Sequence, residues 1–237
     1  MQKVFNYRGA HQHFLEQLAN GQMIGRSYVF LGKEGTGKTQ VLNEIDTYAK
    51  AEGYKVYRTR SYATSEALMY QAYNELLNQL HNEFRERTLP QIVEEFSTLK
   101  AEVASRSIFI IDQLENMPQH SRELFIFLSR LAPKLGFTVF GSIMEDNVED
   151  GHSIVRFLNL VAAEPEMQIV NFERANLEDI KALLKNLKYN LPSSFIQELF
   201  RLTNGNVRSL VYTLKYYEEQ GIINASGELE EVGAAVK

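Results

Sequence analysis

Eight consecutive residues, Gly32-Lys-Glu-Gly-Thr-Gly-Lys-Thr39, restrict what this chain can fold into more than any other feature. They fit the pattern G-x-x-x-x-G-K-[ST]. They follow a short apolar run, Ser27-Tyr-Val-Phe-Leu31, and open a stretch with Val41, Leu42, Ile45, Tyr48 and Ala49 at helical spacing. Strand, glycine-rich loop and helix in that order make a phosphate cradle: glycines let successive backbone N–H groups face one anion, and the helix N-terminus adds partial positive charge. In such a loop Lys38 reaches the β- and γ-phosphates of a nucleotide, and Thr39 ligates Mg²⁺. The candidate nucleotide contacts are Gly32, Glu34, Gly35, Thr36, Gly37, Lys38, Thr39 and Gln40.

A cradle of this kind sits at the edge of a parallel sheet, and extended and helical patterns alternate along the chain as βαβ units require. Strands are expected over 27–31, 54–58, 107–112, 137–142 and 167–172. Helices are expected over 8–20, 38–52, 64–84, 90–103, 121–135 and 154–162. After Phe172 the strand signal stops, and helical patterns follow over 177–187, 192–203 and 207–219. Asn176 with Asp179 three residues on makes a capping pair, and Gly205 then Asn206 end one helix and cap the next. The expected fold is α/β: a five-stranded parallel P-loop NTPase sheet flanked by helices over residues 1–173, a small all-helical lid over 174–220, and a weakly structured tail over 221–237.

Composition removes other chemistries. With no cysteine, disulfides, thiolate-held zinc, iron–sulfur clusters and cysteine nucleophiles are excluded. The five histidines never show the His-x-x-x-His spacing that places two ligands on one helix face. A net charge of −5 argues against a broad positive field for sequence-blind nucleic-acid binding and leaves only a local basic patch. Apolar runs stay far below the roughly 20 residues of a membrane span, and the start MQKVFNYRG lacks a leader's apolar stretch. A cytoplasmic location away from membranes is expected. The guanine-specific Asn-Lys-x-Asp pattern does not occur, which disfavours GTP.

A second acid should support the metal. Ile108-Phe-Ile-Ile111-Asp112 is a strongly apolar strand ending in a carboxylate, and the C-terminal edge of a parallel strand faces the crevice where α/β sheets bind ligands. Asp112 is therefore expected to hold Mg²⁺ together with Thr39.

With these motifs in hand, the chain resembles AAA+-type P-loop ATPases, most of all the replication-initiator (origin-recognition) and STAND-type signalling members. Phe5-Asn-Tyr7-Arg8-Gly9 resembles the box ahead of the P-loop that lies near the adenine, which implies adenine contacts for Tyr7 and Arg8. Asp112-Gln-Leu-Glu115 stands at the Walker B position, and Phe137-Thr-Val-Phe-Gly-Ser142 looks like the sensor 1 strand with Ser142 as its polar tip. Arg156 falls where such families often carry an arginine finger, and Gly205-Asn-Val-Arg208 looks like sensor 2. Independently of the resemblance, Arg208 lies in the first turn of a helix, where the macrodipole disfavours a cation. The resemblance implies ATP or ADP with Mg²⁺, and a switch whose output is assembly with copies of itself or with a protein partner, with DNA as a further candidate.

One departure from the family's pattern alters the chemistry. The position after the Walker B aspartate, usually glutamate, is Gln113, and an amide orients water but cannot take its proton. Losing a general base costs on the order of 10²- to 10⁴-fold in rate, so tight binding with slow hydrolysis is expected. Glu115, two residues along an extended chain, would lie roughly 6–7 Å further from the phosphate, so direct replacement by it is not expected. A nucleotide-stabilised scaffold without turnover is the alternative reading, as is a DNA-associated initiator-like protein.

Overall fold

A computed structural model describes residues 3–5, 7–62, 69–147 and 151–230. The sheet-bearing part runs β1 (Lys3–Phe5), α1 (Tyr7–Ala19), β2 (Ser27–Gly32), α2 (Lys38–Ala51), β3 (Lys55–Arg60), α3 (Gln71–His81), α4 (Leu89–Ser97), α5 (Ala101–Ala104), β4 (Ser107–Asp112), α6 (Gln119–Leu135), β5 (Thr138–Met144), α7 (Gly151–Ala163) and β6 (Met167–Phe172). Three helices follow, α8 (Leu177–Asn186), α9 (Ser193–Thr203) and α10 (Val207–Glu219). All strands join one sheet in the order β1-β6-β2-β5-β4-β3, with every neighbouring pair parallel. The five expected strands all form, and β1 adds a sixth at the edge beside β6.

The central strands are buried on both faces, which is why they read as unbroken apolar runs. Alternate residues divide them between two cores. Tyr28, Phe30, Ile108, Ile110 and Phe140 face α1 and α2, whereas Val29, Phe109, Ile111 and Val139 face the layer built from α3, α4, α6 and α7. Phe14 of α1 anchors the first layer, with its ring 5.2 Å from Tyr28, 4.9 Å from Phe30 and 6.0 Å from Phe140. At the open edge of the sheet, the Gln79 amide accepts from Arg58 N–H at 3.0 Å and donates to Arg58 O at 2.7 Å, so a side chain satisfies the unpaired backbone of β3.

Some expected boundaries shift. Of the helix expected over 64–84, α3 forms at Gln71–His81, and residues 63–68 lie outside the described residues. The helix expected over 90–103 divides into α4 and α5, because Lys100 adopts extended backbone with ψ 135°. The helices after Phe172 gather a core of their own from Ala175, Ile180, Leu184, Leu199, Leu210 and Leu214. Asn176 and Asp179 make the expected reciprocal cap, with Asp179 N–H donating to Asn176 Oδ1 at 3.0 Å and Asn176 N–H to Asp179 Oδ2 at 2.9 Å. Residues 221–230 differ from the loose tail expected: Ile223 pairs antiparallel with Leu229, Ile223 is buried, and Asn190 N–H donates to Gly227 O at 2.8 Å. Residues 231–237 lie outside the described residues.

Gly141 sits in the middle of β5 beside Val29 and Ile111. A Cβ there would meet Leu114 Cδ1 at 2.4 Å and the Phe125 ring at 2.9 Å. Gly141→Ala is expected to destabilise the fold by about 1–3 kcal/mol, the usual range for an overpacked core, as read by urea unfolding.

Candidate nucleotide-binding site

The loop between β2 and α2 wraps because Gly35 and Gly37 take left-handed backbone, φ 75° and 97°. Thr36 Oγ1 donates to Lys33 O at 2.9 Å and fixes the turn. Lys38 is only 8% exposed, and its Nζ folds back to donate to Gly32 O at 2.6 Å and Lys33 O at 2.8 Å. Burial pulls the Lys38 pKa down. The carboxylates of Glu115, Asp112, Glu145 and Asp146 oppose that pull, with Glu115 the strongest of them.

Asp112 ends β4 at 3% exposure, and a buried carboxylate must be paired. Its Oδ1 accepts from Ser142 Oγ, its Oδ2 accepts from Thr39 Oγ1 at 3.2 Å, and Arg58 Nη2 stands 3.7 Å from the same Oδ2. Ser142 Oγ in turn accepts from Gln113 N–H at 2.9 Å. Elements β3, β4, β5 and α2 thus converge on one carboxyl group. Thr39 Oγ and Asp112 Oδ2 supply two hard oxygens at the mouth of the cradle. That suits Mg²⁺, which takes one or two protein oxygens and fills its octahedron with phosphate and water.

Gln113 stands at φ 65°, a left-handed conformation unusual for a residue with a side chain. Its Oε1 accepts from Arg60 Nε at 2.7 Å and from Asn116 Nδ2 at 3.3 Å. The chain then turns through a short 3₁₀ segment, Leu114–Asn116, instead of running on extended. The extended course expected for residues 113–115 is therefore absent, and Glu115 is folded back. Its Oε2 accepts from Met144 N–H at 3.0 Å, and Met144 pairs in register with Gly32, the first residue of the cradle. Burial pushes the Glu115 carboxyl up, while its hydrogen bonds and Lys38 draw it down.

The helical unit touches the cradle directly. Val207 N–H donates to Gly35 O at 2.9 Å, Asn206 Nδ2 donates to Glu34 O at 3.0 Å, and Arg208 pairs with the Glu34 carboxylate. The Arg208 guanidinium also lies 5.6 Å over the Tyr212 ring. From the other side, Glu34 N–H donates to Asp146 Oδ2 at 2.8 Å.

Of the residues picked from sequence, the fold brings Gly32, Glu34, Gly35, Thr36, Gly37, Lys38, Thr39, Asp112, Gln113, Ser142 and Arg208 to one place. Gln40 instead turns along α2, donating to Glu44 at 3.1 Å. Arg156 is exposed on α7 near Glu123 of α6, so within one chain it does not join the group. Tyr7 and Arg8 begin α1, and their side chains lie outside the described residues. Sequence reasoning missed Arg58, Arg60 and Asp146. The first two carried a signal, since charges two residues apart on a strand point to one face.

No protein-family model matches the chain, and no curated protein does. Solved structures do resemble it. Aquifex aeolicus DnaA bound to AMPPCP aligns with a TM-score of 0.58 and 19% identity over 91% of this chain and 62% of that one. Replication initiator DnaA bound to AMPPCP and single-stranded DNA gives 0.55 and 18% over 90% and 60%. Cdc6p from Pyrobaculum aerophilum gives 0.59 and 16% over 89% and 62%. The chain spans about three fifths of each of these structures, and the likeness shows that it shares the fold of the matched part of DnaA and Cdc6p.

Ser142→Ala would leave Gln113 N–H and one oxygen of Asp112 without their partner. Stability is expected to fall by about 1–3 kcal/mol, read from the urea midpoint at constant m.

Proposed function

We propose that this protein binds Mg-ATP in the cradle and acts as a nucleotide-dependent switch for assembly or partner binding, hydrolysing ATP slowly. The observation that carries this reading is the direct bonding of Val207, Asn206 and Arg208 to Gly35 and Glu34, because the loop whose N–H groups would meet phosphate also holds the helical unit through its carbonyls and the Glu34 carboxylate. The unit over 174–220 then serves as a lid on the core over 1–173. Two of the similar structures were solved with AMPPCP, which supports a nucleotide in the same loop.

Thr39 and Asp112 would hold Mg²⁺, which when bound neutralises charge developing on the phosphates. Lys38 would exchange its bonds to Gly32 O and Lys33 O for phosphate oxygens, keeping its charge satisfied throughout. Arg208 would leave Glu34 for the γ-phosphate, so ATP and ADP would leave the lid differently held. Ser142 would report the state of Asp112 to β5. Arg156, exposed and outside this group, would act only across a subunit interface. Gln113 supports slow turnover, since its amide cannot take a proton from water and its oxygen is already engaged by Arg60. Among the described residues no helix is long and apolar enough to cross a membrane, and a cytoplasmic site of action accords with that. Single-stranded DNA in one similar structure supports DNA as a further partner.

Calorimetry is expected to show ATP binding that Lys38→Ala abolishes, with steady-state turnover about 10²- to 10⁴-fold below that of an ATPase with its base in place. Amide exchange at the start of α10 should differ between the ATP and ADP states, and Arg208→Ala should erase that difference. Fast turnover lost in Lys38→Ala would overturn the slow cycle, and identical exchange with both nucleotides would overturn the switch.

A further inference from the structure

We infer that the slow hydrolysis proposed above proceeds with Glu115, three residues past the Walker B aspartate, as the proton acceptor for the attacking water. The inference rests on the proposed ATP site. It does not rest on Gln113, whose side chain is held by Arg60 and Asn116.

Three observations carry it. The left-handed backbone of Gln113 and the 3₁₀ turn after it fold the Glu115 carboxylate back toward the cradle, where Oε2 is pinned by Met144 N–H at 3.0 Å opposite Gly32. The second oxygen, Oε1, is buried and has no hydrogen-bond partner among the described residues. A carboxylate oxygen held in that condition costs free energy unless something else fills its coordination. Finally, of the four carboxylates acting on Lys38, Glu115 acts most strongly, ahead of Asp112. Its charge is thus felt at the lysine that would reach the β- and γ-phosphates.

Burial also raises the pKa of this carboxyl from its ordinary value, the direction that suits a group taking a proton from water. Lys38 faces it with positive charge and Asp112 with negative charge, and the Met144 amide donates to it. In the step itself the water oxygen forms a bond to the γ-phosphorus while the bond from that phosphorus to the β,γ-bridging oxygen breaks. ADP leaves with the electron pair. The water proton passes to Glu115 Oε1 and from there to the phosphate released, which restores the carboxylate.

The test is single-turnover hydrolysis of radiolabelled ATP with protein in excess, together with ATP affinity by calorimetry and thermal unfolding, for the protein and for Glu115→Gln. The glutamine keeps an oxygen for Met144 N–H and loses only the ability to accept a proton. Expected are a fall of about 100-fold or more in the hydrolysis rate, ATP affinity within about threefold, and a melting temperature at or above that of the unaltered protein because a buried charge is gone. Hydrolysis by Glu115→Gln at the original rate overturns the inference. So does a loss of ATP affinity with a lowered melting temperature, which would make Glu115 structural. ATP binding without any hydrolysis in the unaltered protein overturns it too and leaves the binding reading intact. Absence of ATP binding in the unaltered protein overturns the proposed function itself, and the inference with it.

Discussion

A buried carboxylate organises this end of the molecule. Stripping water from an ion costs several kcal/mol even after relaxation, so Asp112 is tolerable at the end of β4 only with partners brought to it. Those partners come from three other elements: Thr39 at the start of α2, Ser142 in β5 and Arg58 in β3. Each contact restricts how its element sits against β4. Thr39 can reach Asp112 only if the cradle closes in one way. Ser142 can reach it only in the register that sets Ile111 opposite Gly141. Arg58 can reach it only because β3 runs beside β4 and sends alternate side chains to the α2 side, where Arg58 also donates to Asn43 at 2.6 Å. Loop, strands and helix are therefore assembled around a charge that would otherwise oppose folding.

Much of this was legible in the sequence, because it follows from local rules. The glycine pattern, the apolar strands buried on both faces and the cap residues Asn176 and Asn206 act within a few residues of themselves. Strand β1 was not legible, since three residues are too few to show a period and its pairing is with β6, far along the chain. Arg58 was half legible: Lys55-Val-Tyr-Arg58-Thr-Arg60 shows the alternation, but not that the charged side would meet Asp112. Glu115 was misplaced for a physical reason. The extended geometry assumed for residues 113–115 is broken by a left-handed glutamine, a conformation that Gly or Asn would have signalled and Gln does not. One dihedral angle carried the carboxylate back to Met144.

Glu34 gathers contacts from two directions. Its N–H serves Asp146, its C=O serves Asn206, and its carboxylate serves Arg208. None of these bonds is deeply buried, and both side chains of the Arg208–Glu34 pair are more than half exposed. An exposed pair contributes at most about 1 kcal/mol, and each hydrogen bond from Asn206 and Val207 contributes about 1 kcal/mol net. The helical unit is thus fastened to the cradle by roughly 2–3 kcal/mol. An anion that offers Arg208 a better partner than Glu34 needs only a differential affinity of that size to change which state dominates. A firmer attachment, such as a shared apolar core, would leave the helical unit indifferent to what the cradle holds. The apolar residues of α8, α9 and α10 instead close on themselves, which keeps the contact with the cradle polar and small.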